Sequence, residues 1–194
     1  MAETKTTKKR TCKKAVADSV AEEVKAPAKK RTCARKSAPK VEVVKKNVLF
    51  VASEAWPFAG TGGLGEVIGS LPSSLNEIGE IEARVILPLY GNLPQEYREK
   101  LHFITNITVP LAWRNQYCGL FELVHNGVTL YFVDNEFYFM RTGLYGYGDD
   151  GERFAFLSRA VLELLPYLNW KVDVLHCHDW HTALVPIYYK LFYQ

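Results

Sequence analysis

The first 46 residues contain no Phe, Tyr or Trp. They are Lys, Ala, Thr and Val with scattered Pro, and they hold 15 Lys/Arg against 5 Asp/Glu, a net of +10. Such a segment cannot bury enough apolar surface to offset the entropy of ordering it, so residues 1–46 are expected to form a disordered basic tail. Lys-Lys-Arg-Thr-Cys occurs there twice, at 8–12 and 29–33, which marks low complexity. No apolar run approaches the roughly 20 residues that span a bilayer, and no membrane partner is expected. The basic N-terminus has no apolar stretch of the kind a secretory signal needs; a transit peptide stays conceivable, with five acidic residues and the lack of aromatics against it. Cysteine is scarce: four residues and no CxxC pair, which leaves no zinc ribbon or redox motif. Reduced thiols in a cytoplasmic protein are the expectation.

Residues 47–194 are different. They hold every aromatic residue, and 9 Lys/Arg against 16 Asp/Glu, a net of −7. An acidic domain is not the composition of a nucleic-acid binder. The basic tail beside it could meet an anionic partner, lie loosely on the acidic domain, or be a solvated linker.

The apolar pattern of 47–194 points to an α/β fold: a Rossmann-like, open, mostly parallel sheet with helices on both faces. Asn47 to Ala52 is a short continuous apolar run, as in a buried parallel strand. After a turn-rich stretch, Leu64, Val67, Ile68, Leu71, Leu75 and Ile78 recur at helical spacing. Pro72 is expected to kink that helix or end its first part. Ala83–Leu87 reads as the next strand, stopped by Pro88, which completes a strand–helix–strand unit. Residues 103–113, 117–125 and 128–133 read as strands, with Asn126-Gly127 as a hairpin turn and thus an antiparallel excursion from the parallel sheet. Asp149 and Glu152 resemble a helix start, followed by Phe154, Leu157, Val161, Leu164 and Leu165 on a buried face. Residues 172–177 read as a strand and 180–192 as a helix. The chain ends on Leu-Phe-Tyr-Gln with no Gly or Asn cap, and a domain truncated at its C-terminal end is expected.

Three groups of residues carry chemistry. Thr61-Gly62-Gly63 stands where a strand turns into a helix; glycines there let backbone approach a ligand, and the helix N-terminus offers free N–H groups to phosphate or a hydroxyl. A plain Gly-rich connector would look the same, since there is neither GxGxxG nor a P-loop lysine. The second group is His176-Cys177-His178-Asp179-Trp180-His181 at the C-terminal end of a buried strand, where open α/β sheets bind ligands. A sugar-binding wall, a zinc site of His176, His178 and His181, and a purely structural cluster are all compatible with it. The third is the run Tyr131 to Glu136, continued by Tyr138, Arg141, Gly143, Tyr145 and Tyr147: either a carbohydrate-binding loop or one packing on the core.

Together these stretches resemble a known family. Val-Leu-Phe-Val-Ala-Ser-Glu-Ala-x-Pro-Phe followed by Thr-Gly-Gly-Leu-Gly-Glu-Val-Ile-Gly-Ser-Leu-Pro is similar to the opening of bacterial glycogen synthases and plant starch synthases. So are Tyr-Phe-Val-Asp-Asn-Glu, Gly-Leu-Tyr-Gly-Tyr, Asp-Asp-Gly-Glu-Arg-Phe-Ala-Phe and Asp-Val-Leu-His-Cys-His-Asp-Trp-His-Thr, in family order across nearly all of 47–194. The resemblance implies the N-terminal half of a GT-B glycosyltransferase, in which two Rossmann-like domains face a cleft. It implies transfer of glucose from ADP-glucose to the non-reducing end of an α-1,4-glucan with retention, without a metal or cofactor. It assigns a catalytic place to Asp179 and substrate-binding places to Thr61, Gly62, Gly63, Glu66, Tyr145 or Tyr147, His178 and Trp180. The family's loop has Lys where this chain has Gly60, and usually Asp where this chain has Glu66. Because the second domain supplies most donor contacts, negligible activity is expected of these residues alone; a non-catalytic glucan-binding module is the alternative.

Overall fold

The computed structural model describes residues 45–194. The expectations for the basic tail lie outside the described residues, except at Lys45 and Lys46, the second of which already begins a strand.

Among the described residues six strands form one sheet. In chain order the elements are β1 (Lys46–Val51), α1 (Gly63–Ile78), β2 (Ile81–Pro88), α2 (Gln95–Arg98), β3 (His102–Leu111), β4 (Arg114–His125), β5 (Val128–Asp134), α3 (Glu136–Phe139), α4 (Asp150–Leu164), β6 (Val174–Cys177) and α5 (Leu184–Phe192). The strand order is β3-β4-β5-β2-β1-β6. β6, β1, β2 and β5 run parallel, while β3, β4 and β5 form an antiparallel meander. The expected excursion is therefore no side branch: its third strand, β5, pairs with β2 and extends the same sheet.

The parallel strands are apolar because both faces are covered. Val48 and Phe50 point toward α1 and pack with Ile68, Ala83, Val85 and Leu87. Leu49 and Val51 point the other way, toward Phe154, Leu157, Val161 and Leu164 of α4 and Val185 of α5. The helical stripe of α1 turns out narrower than the spacing suggests. Ile68 is buried, Leu64, Leu71 and Leu75 are partly so, and Val67 and Ile78 face solvent.

Several boundaries depart from the sequence pattern. Pro72 neither ends nor divides α1, which continues to Ile78 and is closed by Gly79 at φ 85°. The run 103–113 bends at Ala112 (φ 52°), so β4 begins at Arg114 instead of 117. The strand expected at 172 starts at Val174, and the helix expected at 180 splits into a 3-10 turn, Trp180–Thr182, and α5. Asp149 caps α4 by position, but its carboxylate bonds Arg141 instead of the helix N–H groups. The hairpin turn is as the dipeptide implies, with φ 48° at Asn126 and 74° at Gly127.

Candidate functional site

β1 and β6 are parallel neighbours, with Val51 level with Cys177. The loop after β1, which carries Thr61-Gly62-Gly63, and the turn after β6, which carries Asp179-Trp180, therefore leave the sheet along one rim, at the carboxyl ends of the strands. The His178 N–H donates to the Val51 carbonyl at 3.0 Å and ties the two exits together.

The hub of this rim is Glu54, only 3% exposed. Its Oε2 accepts from the Thr61 N–H and its Oε1 from the Thr61 hydroxyl, both at 2.8 Å. Oε1 also accepts from the Tyr145 hydroxyl at 2.8 Å, and that hydroxyl lies 2.8 Å from Ser53 Oγ. Burial works to raise the Glu54 pKa. The bonds from the Thr61 N–H, the Tyr145 hydroxyl and the Thr61 hydroxyl outweigh it, and the net direction is down. Tyr145 is pushed the other way, by burial and by its bond to the Glu54 carboxylate, so its proton stays on.

Around Tyr145 the aromatic rings close up. Its ring stacks on His181 with centroids 4.4 Å apart and lies 6.4 Å from Trp180, which in turn is 4.0 Å from His181. Phe154 of α4 meets both Trp180 and His181 edge-on. Trp180 keeps 53% of its surface open, a supported but accessible indole. Asp179 beside it sits at φ 63° and ψ 178°, a region that costs a side-chain-bearing residue on the order of 1–3 kcal/mol. The surroundings hold it there. Its Oδ1 accepts from the Trp180 N–H at 2.6 Å, and the Thr182 hydroxyl donates to the His178 carbonyl at 2.9 Å.

The three histidines do not converge. His176 and His178 point to the α1 side of the sheet, where His178 stacks on Phe50 at 5.4 Å. Burial and then the His176 charge depress the His178 pKa to about 4. His181 is buried instead with Tyr145 and Phe154 of the α4 side, and neither of its ring nitrogens has a hydrogen-bond partner among the described residues. Among those residues no group of three or more His, Cys, Asp or Glu side chains is placed to hold a metal ion. The zinc alternative is thus corrected by geometry: the sheet sends the imidazoles to different faces.

Gly62 and Gly63 are exposed, and Gly62 precedes α1 with no side chain bonding the helix N–H groups. A side chain at either glycine would meet nothing within 4 Å. Glu66 is exposed in the first turn of α1. Tyr147, unlike Tyr145, is not brought to Glu54. Its hydroxyl accepts from the Gly143 N–H at 2.9 Å, and its ring lies between the guanidinium groups of Arg141 and Arg153, at 4.8 and 4.9 Å. The third group divides likewise: Asn135 caps α3 through Tyr138, and Arg141 pairs with Asp149, so these residues shape the loop.

Sequence reasoning missed Ser53, Glu54 and Arg153 as site residues. The strand-end rule that singled out Asp179 applies equally to Ser53 and Glu54, two and three residues past β1. Arg153 had no such signal. It is fully buried and donates to the carbonyls of Tyr138 and Leu144 and to Asp150, while Asp150 accepts from the N–H groups of Gly146 and Tyr147. That ion pair holds the loop that delivers Tyr145 to Glu54.

Residues 47–194 match the family described as the starch synthase catalytic domain. The glycogen synthase of Desulfitobacterium hafniense is 58% identical over 147 residues, which are 75% of this chain and 31% of that protein. The glycogen synthase of Geobacillus thermodenitrificans is 54% identical over 139 residues, 72% of this chain and 28% of its own length. Among solved structures, the catalytic domain of starch synthase IV from Arabidopsis thaliana, bound to ADP and acarbose, superposes with a TM-score of 0.71 at 31% identity. It covers 77% of this chain and 31% of its own. The chain thus spans about a third of the length of the relatives it matches.

Proposed function

This chain belongs to the starch synthase catalytic domain family, and from that premise we propose that it is the acceptor-side part of a glucosyltransferase. The proposed reaction moves glucose from ADP-glucose to the non-reducing end of an α-1,4-glucan with retention. One observation carries this reading. An open indole, Trp180, and a strained carboxylate, Asp179, stand on the same strand-end rim as the uncapped N-terminus of α1. An indole face suits the C–H face of a pyranose ring, and carboxylates accept hydrogen bonds from hydroxyls. A helix N-terminus with free N–H groups suits phosphate oxygens. The ADP bound to the related plant protein favours an adenine nucleotide over a uridine one.

The rim residues are carboxylates, hydroxyls and aromatic rings. Departure of a nucleoside diphosphate requires positive charge at the leaving group, and the guanidinium of Arg153 is fully buried, bonded to Asp150 and two carbonyls. On this reading residues 1–194 bind glucan but do not turn over by themselves, which keeps the binding-module alternative as the behaviour of the isolated chain. A cytoplasmic location belongs to the same proposal and rests on the unpaired thiols of Cys118 and Cys177.

A chimera tests the transferase reading. Residues 47–194 replace the matching segment of the Desulfitobacterium hafniense glycogen synthase, and glucose incorporation from ADP-glucose into maltohexaose is measured. An active chimera that loses activity with Asp179→Asn supports the assignment; a folded but inactive chimera counts against it. For the isolated chain, ADP release in the same assay should match the blank. Maltohexaose should bind it in calorimetric titration, and Trp180→Ala should raise the Kd about ten-fold, close to 1.4 kcal/mol.

A further inference from the structure

Resting on that reading of the rim, we propose that Trp56 is a second sugar platform there: its indole takes the face of an α-glucopyranosyl ring. Trp56 follows β1 by five residues and keeps 47% of its surface open. Three glycines clear the space it occupies. A Cβ on Gly60 would come within 2.8 Å of its Nε1 and 2.9 Å of its Cε2. One on Gly65 would come within 3.0 Å of its Cδ1, and one on Gly69 within 2.7 Å of its carbonyl oxygen. None of the three has a left-handed φ, so backbone conformation does not require glycine at these positions. What the chain requires there is the absence of a side chain.

An indole given room for the sake of the core would be buried. This one is pinned by its backbone, through its own N–H to the Gly65 carbonyl at 2.9 Å, and left with an open surface. Its neighbour is the hub of the site. The point a Gly65 Cβ would occupy lies 3.0 Å from the indole Cδ1 and 3.2 Å from Glu54 Oε2. The indole and the carboxylate that binds Thr61 and Tyr145 thus flank the same bare glycine, Gly65, and the ring of Tyr145 leads on to Trp180. A flat, open apolar face matches the C–H face of a pyranose ring. Two sources could supply the ring: the glucosyl group of ADP-glucose or a unit of an α-glucan chain.

The 194-residue chain and its Trp56→Ala, Trp56→Phe, Gly60→Val and Trp180→Ala variants are titrated calorimetrically with maltohexaose, ADP-glucose and ADP. Circular dichroism checks the fold of each. Trp56→Ala is expected to weaken maltohexaose or ADP-glucose about 3- to 10-fold, the range of one aromatic stacking contact, and to leave ADP unchanged. Loss for maltohexaose identifies a glucan unit, and loss for ADP-glucose alone identifies the donor's sugar. Trp56→Phe should recover most of the affinity. Gly60→Val, which takes the indole's place, should weaken the same ligand; if Trp56→Ala fails to fold, these two variants decide. Unchanged binding in Trp56→Ala, with loss in Trp180→Ala, overturns the platform and leaves the reading of the rim intact. Equal loss of ADP overturns it in favour of a nucleotide contact. A wild-type chain that binds none of the three ligands overturns both.

Discussion

The two halves of the sheet handle their polar residues in opposite ways. In the parallel half, β1 is sandwiched between α1 and α4, and residues 48–51 are buried on alternating sides. A strand covered on both faces has no place for an unpaired polar side chain along its length. Its polar residues therefore appear where it ends: Ser53 and Glu54 after β1, His178 and Asp179 after β6. In the antiparallel half the cover is partial on both faces: Cys118 and Leu120 of β4 lie in the cluster of α4, Phe121 and Leu123 pack in the cluster of α1, and Phe103, Tyr117 and Val124 stay exposed along the strands. There the polar groups pair with one another, as in Arg114 with Glu152, which also accepts from the Tyr138 hydroxyl. Complete burial on two sides concentrates chemistry at one rim, and partial cover disperses it. The loop from α3 to α4 leaves the antiparallel half and carries Tyr145 to the parallel one.

The most damaging way to break this division is at the joint. Arg153→Leu removes the buried cation that holds the loop and leaves Asp150 and two carbonyls without their donor. A cost of about 3–5 kcal/mol in urea denaturation is expected, together with loss of the Tyr145–Glu54 contact. A near-neutral result would mean that the loop is held otherwise. Next is a matched pair. Ile86→Ala, in two-sided β2, should cost about 2–5 kcal/mol, and Val124→Ala, at an exposed position of β4, no more than about 0.5 kcal/mol. Similar values would erase the contrast. Gly127→Ala, at φ 74° in the hairpin, should cost about 1–2 kcal/mol and leave ligand binding unchanged.

The smallest effect is a slope with pH. The folded state depresses the His178 pKa from 6.5 to about 4, so this group's stability contribution is full above pH 6.5. As pH falls toward 4, the unfolded chain takes up the proton first, and stability drops across that window. Melting temperatures of His178→Gln should fall less steeply between pH 6.5 and 4 than those of the parent chain. Some slope should remain, because burial lowers His181 in the same direction. Identical slopes would mean that His178 is hydrated in solution.

Much of this was legible in the residues because it depends on neighbours in the chain. The apolar runs of β1 and β2, the Asn126-Gly127 turn and the α4 stripe follow from local periodicity and backbone preference. The placement of Thr61–Gly63 and Asp179-Trp180 on one rim follows from the rule that a parallel sheet sends all its carboxyl ends one way. The choice of Tyr145 over Tyr147 was not legible: they are two residues apart on the same kind of loop, and only Asp150 and Arg153 decide which one turns toward Glu54. Nor was Gly60 readable as space for Trp56, because an empty position has no pattern of its own.

The sequence by itself determined the elements, the α/β class, the membership of a family and the chain positions at which chemistry gathers, since periodicity, turn propensity and order along the chain are local properties. Tertiary structure alone decided that the antiparallel strands join the parallel sheet through β5, that Glu54 bonds both nearby Thr61 and Tyr145, 91 residues further along the chain, and that the histidines part company. Those outcomes depend on which face of the sheet a side chain meets and what lies buried there.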